Sequence, residues 1–323
     1  MIRWGVVGPG IIATGFAEAM PFADGGVITA VASRSAERAN EFGDRFDIPN
    51  RYGDYEALAA DPEVDAVYVA TPHSRHEKDT LAMLQAGKHV LCEKPFALNA
   101  RQATRMAKEA RRRGLFLMEA IWSRFLPSYR ALVDVLGEGR IGEPQMVEAD
   151  FGFRRPVDPD HRHFAAELGG GALLDLGIYP IQLSTFVLGP IARVVADGSV
   201  GETGVDEVVT ALLHHTGGGL GVVKAAIRVN MTCTARITGT EGMIELPAMM
   251  HCPDSLTVAT LAGREQIDAS YEGNGLRFEI DEVHRCLAAG RTESTVVPLD
   301  ESIALATTLD TIRGELGVVY PGE

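Results

Sequence analysis

The chain has 323 residues, 46% of them hydrophobic, and a formal net charge of −14 at pH 7. That length suggests about two domains with sizeable cores, and the acidic balance argues against binding nucleic acid or an anionic membrane. No apolar run reads as reaching the ~18 residues of a membrane span, and the N-terminus enters a strand without a signal-peptide pattern. The first predicted element, residues 4–7, is a short apolar strand of the kind buried on both faces. It runs into Gly8-Pro9-Gly10-Ile11-Ile12-Ala13, a G-x-G-x-x-A fingerprint for a dinucleotide. Gly8 suits the tight turn, Gly10 lets backbone approach a pyrophosphate, and Ala13 keeps the following helix close to the sheet. The helix 11–20 then turns its free N–H groups, with those of Ile11 and Ile12 first, toward the phosphates.

A second strand, 27–32, ends at Ser33-Arg34. An NAD-preferring site usually carries Asp or Glu there, about 20 residues past the glycines, to accept from the ribose 2′-hydroxyl. Ser33 can donate to a 2′-phosphate and Arg34 can pair with it, with Arg38 a helical turn further, so NADP is the favoured cofactor over NAD. Helices are predicted over 35–46 and 54–60 and a strand over 65–70. Thr71-Pro72-His73 ends that strand at the carboxyl edge where ligands bind in such sheets, and His76 opens the next helix, 75–86. Thr71, His73 and His76 are therefore candidate cofactor contacts, with helix capping the alternative for the histidines. A strand at 89–92 delivers Glu93-Lys94-Pro95, placing a lysine where a nicotinamide ring would lie. Glu93 is read as pairing with lysine or ribose, and Pro95 as fixing the turn that aims Lys94, with a cis bond open to it. Asn99 caps a helix that Gly114 stops, and a strand follows at 115–118. This alternation predicts an α/β fold with an N-terminal doubly wound parallel (Rossmann) sheet over residues 1–120.

Beyond it the pattern changes. A helix at 127–136 precedes period-2 stretches at 145–153, 194–199, 208–214, 220–229 and 232–238, interrupted by a long helix at 172–188. Residues 121–323 are read as an α+β substrate-binding and dimerisation domain with a large, mostly antiparallel sheet. Four cysteines stand far apart without a C-x-x-C pair, so neither a metal site nor a disulfide framework is expected, and a reducing cytoplasm is the simplest compartment.

The order of G-x-G-x-x-A, Thr71-Pro72-His73 with His76, Gly87-Lys88-His89-Val90 before Glu93-Lys94-Pro95, and Gly169-Gly170-Gly171-Ala172-Leu173-Leu174-Asp175 resembles the Gfo/Idh/MocA oxidoreductases. Residues 118–125 and 175–180 are most similar to its dihydrodiol dehydrogenase and NADP-dependent xylose dehydrogenase branch. The resemblance implies hydride transfer between NADP and a sugar or cyclic vicinal diol, and a homodimer formed through the sheet. It implies that Tyr179 is the acid/base, that Lys94 positions the hydroxyl and tunes Tyr179, and that Asp175 holds substrate or Lys94.

Residue chemistry supports that implication. A free tyrosine, pKa ~10, is too weak a base at neutral pH, and a nearby ammonium favours phenolate. Asp175 and Tyr179 are i and i+4 on the predicted helix and would share a face, and the glycine run before them would let a substrate approach the helix start. Arg154-Arg155 and His161-Arg162-His163 form a basic loop that either grips a ligand or is solvated, with Arg162 the preferred substrate contact. Trp122, Phe125, Phe151, Phe153 and Phe278 are candidate apolar walls, Trp122 and Phe153 foremost. The substrate itself is not legible. An NAD-dependent glycosidase on the same fold and a non-catalytic NADP-sensing regulator are the alternatives.

Overall fold

The computed structural model describes residues Met1–Glu323. The chain folds into two compact units, Met1–Phe125 with Glu272–Ala304, and Leu126–Tyr271 with Leu305–Glu323.

In the first unit, strands β1 (Ile2–Val7), β2 (Gly26–Ala32), β3 (Asn50–Tyr52), β4 (Ala66–Val69), β5 (His89–Glu93) and β6 (Leu117–Ala120) form one sheet in the order β3-β2-β1-β4-β5-β6. All its pairings are parallel, as strand–helix alternation requires. Between them run α1 (Ile11–Ala19), α2 (Ala36–Arg45), α3 (Tyr55–Ala60), α4 (His76–Gln85) and α5 (Ala100–Arg113). Local chemistry sets the helix starts. The side chains of Ser35, Asp54 and Asn99 accept from the N–H groups of Arg38, Ala57 and Gln102. Gly114, at φ 65°, closes α5 in a left-handed cap that a residue with a Cβ adopts at a cost. Strand order reverses between β1 and β4, which makes their carboxyl ends the ligand-binding edge of such a sheet. Gly8, Ser33, Thr71 and Glu93-Lys94 all lie at carboxyl ends of this sheet's strands.

The second unit contains α6 (Pro127–Gly137), β7 (Pro144–Gly152), α7 (Ile178–Leu188), β8 (Ile191–Val200), β9 (Asp206–His215), β10 (Leu220–Ala226), β11 (Ala235–Gly239), β12 (Gly242–Leu246), β13 (Ser255–Thr260) and β14 (Gly263–Asp268). Its eight strands order as β14-β13-β12-β11-β7-β10-β9-β8. Only β7 and β10 run parallel; the chain leaves β7 through α7 to the edge strand β8 and returns antiparallel through β9 to β10.

Two helices follow, α8 (Arg277–Ala288) and α9 (Leu299–Leu316). The expected division at 120/121 thus differs from the observed one, since 272–304 belongs with the first unit. Hydrogen bonds hold it there: Trp4 Nε1 donates to His284 Nε2 at 2.9 Å, Asn274 Nδ2 to the Gly15 carbonyl at 2.9 Å, and the Leu117 N–H to the Thr292 carbonyl at 3.2 Å. One expectation about membranes also needs correction. Residues 166–188 are long and apolar enough to span one, at 23 residues, but 78% of the most apolar window is buried inside the protein. It reads as a core segment.

Candidate functional site

In the first unit the glycine turn is built by close packing. Gly8 has φ 86°, and a Cβ there would fall 2.9 Å from the Ala70 carbonyl and 3.0 Å from Thr71 Cγ2. Gly10 has open space instead, and its N–H donates to the Gly8 carbonyl at 2.8 Å. No side chain caps α1 at Gly10, so its first N–H groups, those of Ile11 and Ile12 included, are left for a ligand. The Ile11 side chain is 94% exposed beside them. Thr71 Oγ1 is buried without a hydrogen-bond partner next to this turn. An uncapped helix start, an open glycine and an orphaned hydroxyl together fit the phosphates and ribose of a dinucleotide.

The end of β2 is cationic. Ser33 is buried, its N–H donating to the Tyr52 carbonyl at 3.1 Å and its Oγ accepting from the Ser35 N–H at 3.3 Å. Arg34 and Arg38 are exposed, and Arg38 Nη2 donates to the Pro9 carbonyl at 3.3 Å, linking α2 to the glycine turn. Arg75 joins them, 5.6 Å from the centroid of the Tyr55 ring and paired with Asp79 at 2.6 Å. Burial, then Asp79, raises the Tyr55 phenol above its ordinary pKa, while Arg34, Arg75 and Arg38 act against that rise. Of the three, Arg75 is the one that lies against the ring. Sequence reasoning missed Arg75, because Arg75 and Asp79 at i, i+4 look like an ordinary helix pair.

At the end of β5, Lys94–Pro95 is a cis peptide. The Tyr68 hydroxyl donates to Glu93 Oε1, and the Lys94 N–H donates to Oε2 at 3.2 Å. Glu93 is buried and anchors the turn through both oxygens. His76 differs from both roles expected of it. It is fully buried, with Nδ1 2.8 Å from the Pro95 carbonyl and Nε2 2.8 Å from the Thr71 carbonyl. No ring nitrogen is left for a cofactor, and burial lowers its pKa. His76 ties the Thr71 loop to the Lys94 turn, with buried His73 at 5.7 Å between ring centroids.

Glu119, on β6, supports the same turn. It is buried, its Oε1 accepts from the Phe96 N–H at 2.8 Å, and burial pushes its carboxyl up to about 7. A carboxyl that is protonated in the fold but ionised in the unfolded chain makes folding take up a proton. Raising pH from about 4.5 to about 7 therefore removes stability. Glu119→Gln keeps the acceptor without the ionisation, so it should flatten the fall in Tm across that window. An unaltered slope in a pH series of thermal melts would contradict this assignment.

In the second unit, a π-helical turn, Leu173–Gly177, leads into α7. The expected helix 172–188 is thus continuous but opens on a π turn, and Asp175 and Tyr179 remain four residues apart along it. Asp175 is buried, and Arg162 grips it in a fork at 3.2 and 3.0 Å. His163 Nε2 lies 2.9 Å from Asp175 Oδ2, off the line of a good hydrogen bond. Arg162 thus holds the carboxylate expected to hold substrate or Lys94. Tyr179, also buried, packs its ring on His251 and Phe151, with centroids at 4.8 and 5.6 Å. Phe151 stacks on His251 at 4.6 Å. His251 gave no signal in the sequence, because it sits in a loop between strands that the period-2 pattern did not reach.

Two glycines of the run are required by close packing. A Cβ on Gly170 would lie 2.8 Å from the His163 carbonyl, and one on Gly171 (φ 115°) would collide with Asp206 Oδ1. Asp206 Oδ2 accepts from the Leu173 N–H at 2.6 Å, capping the segment that carries Asp175. Burial nevertheless pushes Asp206 up to about 7. The Tyr320 hydroxyl donates to the Gly170 carbonyl at 2.5 Å and locks the run from the other side. Of the expected apolar walls, Phe125 and Phe151 are core residues, while Trp122, Phe153 and Phe278 are half-buried. Arg155 lies over the Phe153 ring at 5.6 Å.

Comparison with known proteins gives this geometry a context. Residues 2–121 match a family described as an oxidoreductase family with an NAD-binding Rossmann fold, and residues 129–245 match the GFO/IDH/MocA C-terminal domain. The human trans-1,2-dihydrobenzene-1,2-diol dehydrogenase is 40% identical over 331 residues, covering 99% of this chain and 98% of that protein. The zebrafish (Danio rerio) enzyme of the same name is 38% identical over 329 residues, covering 99% and 98%. Among solved structures, a 3-ketoreductase from Actinomadura kijaniata, in complex with NADP and TDP-benzene, is 30% identical with a TM-score of 0.85, covering 97% of both chains. An aldose-aldose oxidoreductase from Caulobacter crescentus shares the fold, with a TM-score of 0.89 at 24% identity and 97% coverage of both chains.

Proposed function

The chain belongs to the Gfo/Idh/MocA oxidoreductases, and we propose that it transfers a hydride between NADP and a cyclic vicinal diol or a sugar. The observation that carries this reading is the near full-length similarity to dehydrogenases named for a trans-dihydrodiol. The residues that such chemistry needs stand in this chain as Lys94, Asp175 and Tyr179. NADP rather than NAD follows from the cationic end of β2, where Ser33, Arg34 and Arg38 replace a carboxylate. Gly8, Gly10 and the first N–H groups of α1 would hold the pyrophosphate, and Thr71 Oγ1 would contact the ribose or nicotinamide side. The bound nicotinamide supplies the hydride acceptor.

Within this reading, Tyr179 takes the proton of the hydroxyl being oxidised and Lys94 orients that hydroxyl and favours the phenolate. Asp175, fixed by Arg162, supports the helix start that carries Tyr179. Trp122 and Phe153, half-buried, provide apolar surface for the ring of a diol. The test is a panel of trans-dihydrodiols and aldoses assayed by NADP reduction. Turnover on a diol or a sugar is the expected result. Tightly retained cofactor with no net reduction would point instead to a glycosidase that uses the nicotinamide transiently.

The reading includes a homodimer formed through the open face of the eight-stranded sheet. That face exposes Val195 and Leu212 and holds a shallow cavity of about 600 Å³ lined by Glu148, Lys224 and Arg236, among others. A two-fold axis would set the same surface against itself. Light scattering should give twice the chain mass. A monomer mass over a wide concentration range would exclude the dimer.

A further inference from the structure

The loop that precedes the glycine run carries a buried histidine to which the reaction scheme above gives no task. Residues 161–165 close a tight turn. The N–H groups of Phe164 and Ala165 both donate to the His161 carbonyl, at 2.8 and 3.0 Å, and the His163 N–H donates to His161 Nδ1 at 3.2 Å. This turn is pressed onto the glycines. The Gly171 N–H donates to the His163 carbonyl at 2.8 Å, and a Cβ on Gly170 would meet the carbonyls of His163 and Arg162 at 2.8 and 2.9 Å. From Gly171 the chain runs directly into the π turn that bears Asp175. Backbone contacts therefore fix the base of the His163 side chain relative to that carboxylate.

The ring itself reaches the carboxylate. His163 Nε2 lies 2.9 Å from Asp175 Oδ2, and the ring packs on Phe153 and His161 with centroids at 5.4 and 4.7 Å. The side chains of His163 and Asp175 are 3% and 6% exposed, whereas that of Arg162, which also bonds Asp175, is 52% exposed. Neither ring nitrogen of His163 has a hydrogen-bond partner in the present orientation. A buried polar group in that state is costly unless a partner is within reach, and Asp175 Oδ2 is within reach. A nitrogen lone pair held against a carboxylate oxygen would be repelled, so Nε2 at this distance must carry the proton. Only the angle of the contact, not its length, separates it from a hydrogen bond.

We propose that His163 is a positioning residue for Asp175, donating its Nε2 proton to Oδ2 from the buried side. Arg162 holds the same carboxylate from the exposed side, where water competes for both partners and weakens the pair. His163 supplies the donor that water does not reach. Asp175 without a buried donor would keep its charge but lose its fixed orientation, and with it the geometry that hydride transfer requires. The proposal deepens the dehydrogenase reading and rests on it for the kinetic consequence.

Full-length protein carrying isotope-labelled histidine reports by NMR which ring nitrogen holds the proton. His163→Gln removes that ring and so identifies its signals among the nine histidines. A proton on Nε2 is expected, and Asp175→Asn, which takes the charge from the acceptor, should shift its resonance. In kinetics with NADP, His163→Phe keeps an aromatic ring against Phe153 but has no donor, so kcat should fall about 10–100-fold while NADP affinity holds. His163→Gln returns an N–H near the Nε2 position and should bring kcat to within about 3-fold of the wild type. A role in packing alone predicts the opposite order, with Phe the better substitute. An Nε2 without a proton, a resonance indifferent to Asp175→Asn, or a His163→Phe variant as fast as His163→Gln would overturn the proposal. Where His163→Phe does not fold, the proton on Nε2 and its response to Asp175→Asn decide. If no diol or sugar is turned over at all, the dehydrogenase reading falls, while the spectrum still decides whether His163 holds Asp175.

Discussion

Tyr179→Phe should give a folded protein that still binds NADP but turns over roughly 10²–10⁴-fold more slowly, the usual contribution of general acid–base catalysis. Folding should survive because the phenyl ring keeps the contacts with His251 and Phe151, and only the hydroxyl is lost. Lys94→Met should be at least as damaging, since it removes both the charge that orients the hydroxyl and the shift it is proposed to impose on Tyr179. Losses in the double variant should not add, because groups that act on one proton transfer behave as a unit. The deciding measurement is kcat of Tyr179→Phe at saturating NADP on the best substrate. Turnover near the wild type would leave Tyr179 as packing. Asp175 would be a poor replacement, since the Arg162 fork stabilises its carboxylate and weakens it as a base.

Much of this arrangement is legible in the sequence because local rules govern it. The G-x-G-x-x-A turn, the Asn99 cap, the Gly114 stop and the period-2 strands each follow from steric or hydrogen-bonding demands within a few residues. What was not legible depends on contacts made across long stretches of chain. Asp206 caps the segment before α7 from 33 residues away, and no pattern near Leu173 announces it. The π turn at Leu173–Gly177 has no composition of its own, so it read as ordinary α-helix. Asn274 and His284 rejoin the first unit from the far end of the chain, which a division at 120/121 could not contain. His76 offered a ring at a plausible ligand edge, yet two backbone carbonyls claim both its nitrogens. Strand and helix periodicity reports which face is buried, and it is silent about which partner a buried polar group finds.

Arg34→Asp should weaken NADP binding by about 10–150-fold, corresponding to the loss of one charge-assisted pair at about 1.5–3 kcal/mol, and should leave NAD binding little changed or improved. The three nearby guanidinium groups are not equivalent. Arg38 already donates to the Pro9 carbonyl and Arg75 is paired with Asp79, whereas Arg34 is exposed and no ion pair holds it. Arg34 is therefore the group with most freedom to fork onto a 2′-phosphate. The aspartate would add repulsion toward that phosphate and an acceptor for the ribose hydroxyls of NAD, so discrimination should reverse as well as weaken. The change lies on the surface after β2, away from the core, and Tm should move little. Titration of both cofactors against both proteins checks it directly. Equal affinities for NADP and NAD in the wild type, unchanged by Arg34→Asp, would remove the argument for NADP and return the choice of cofactor to the glycine turn, which serves either.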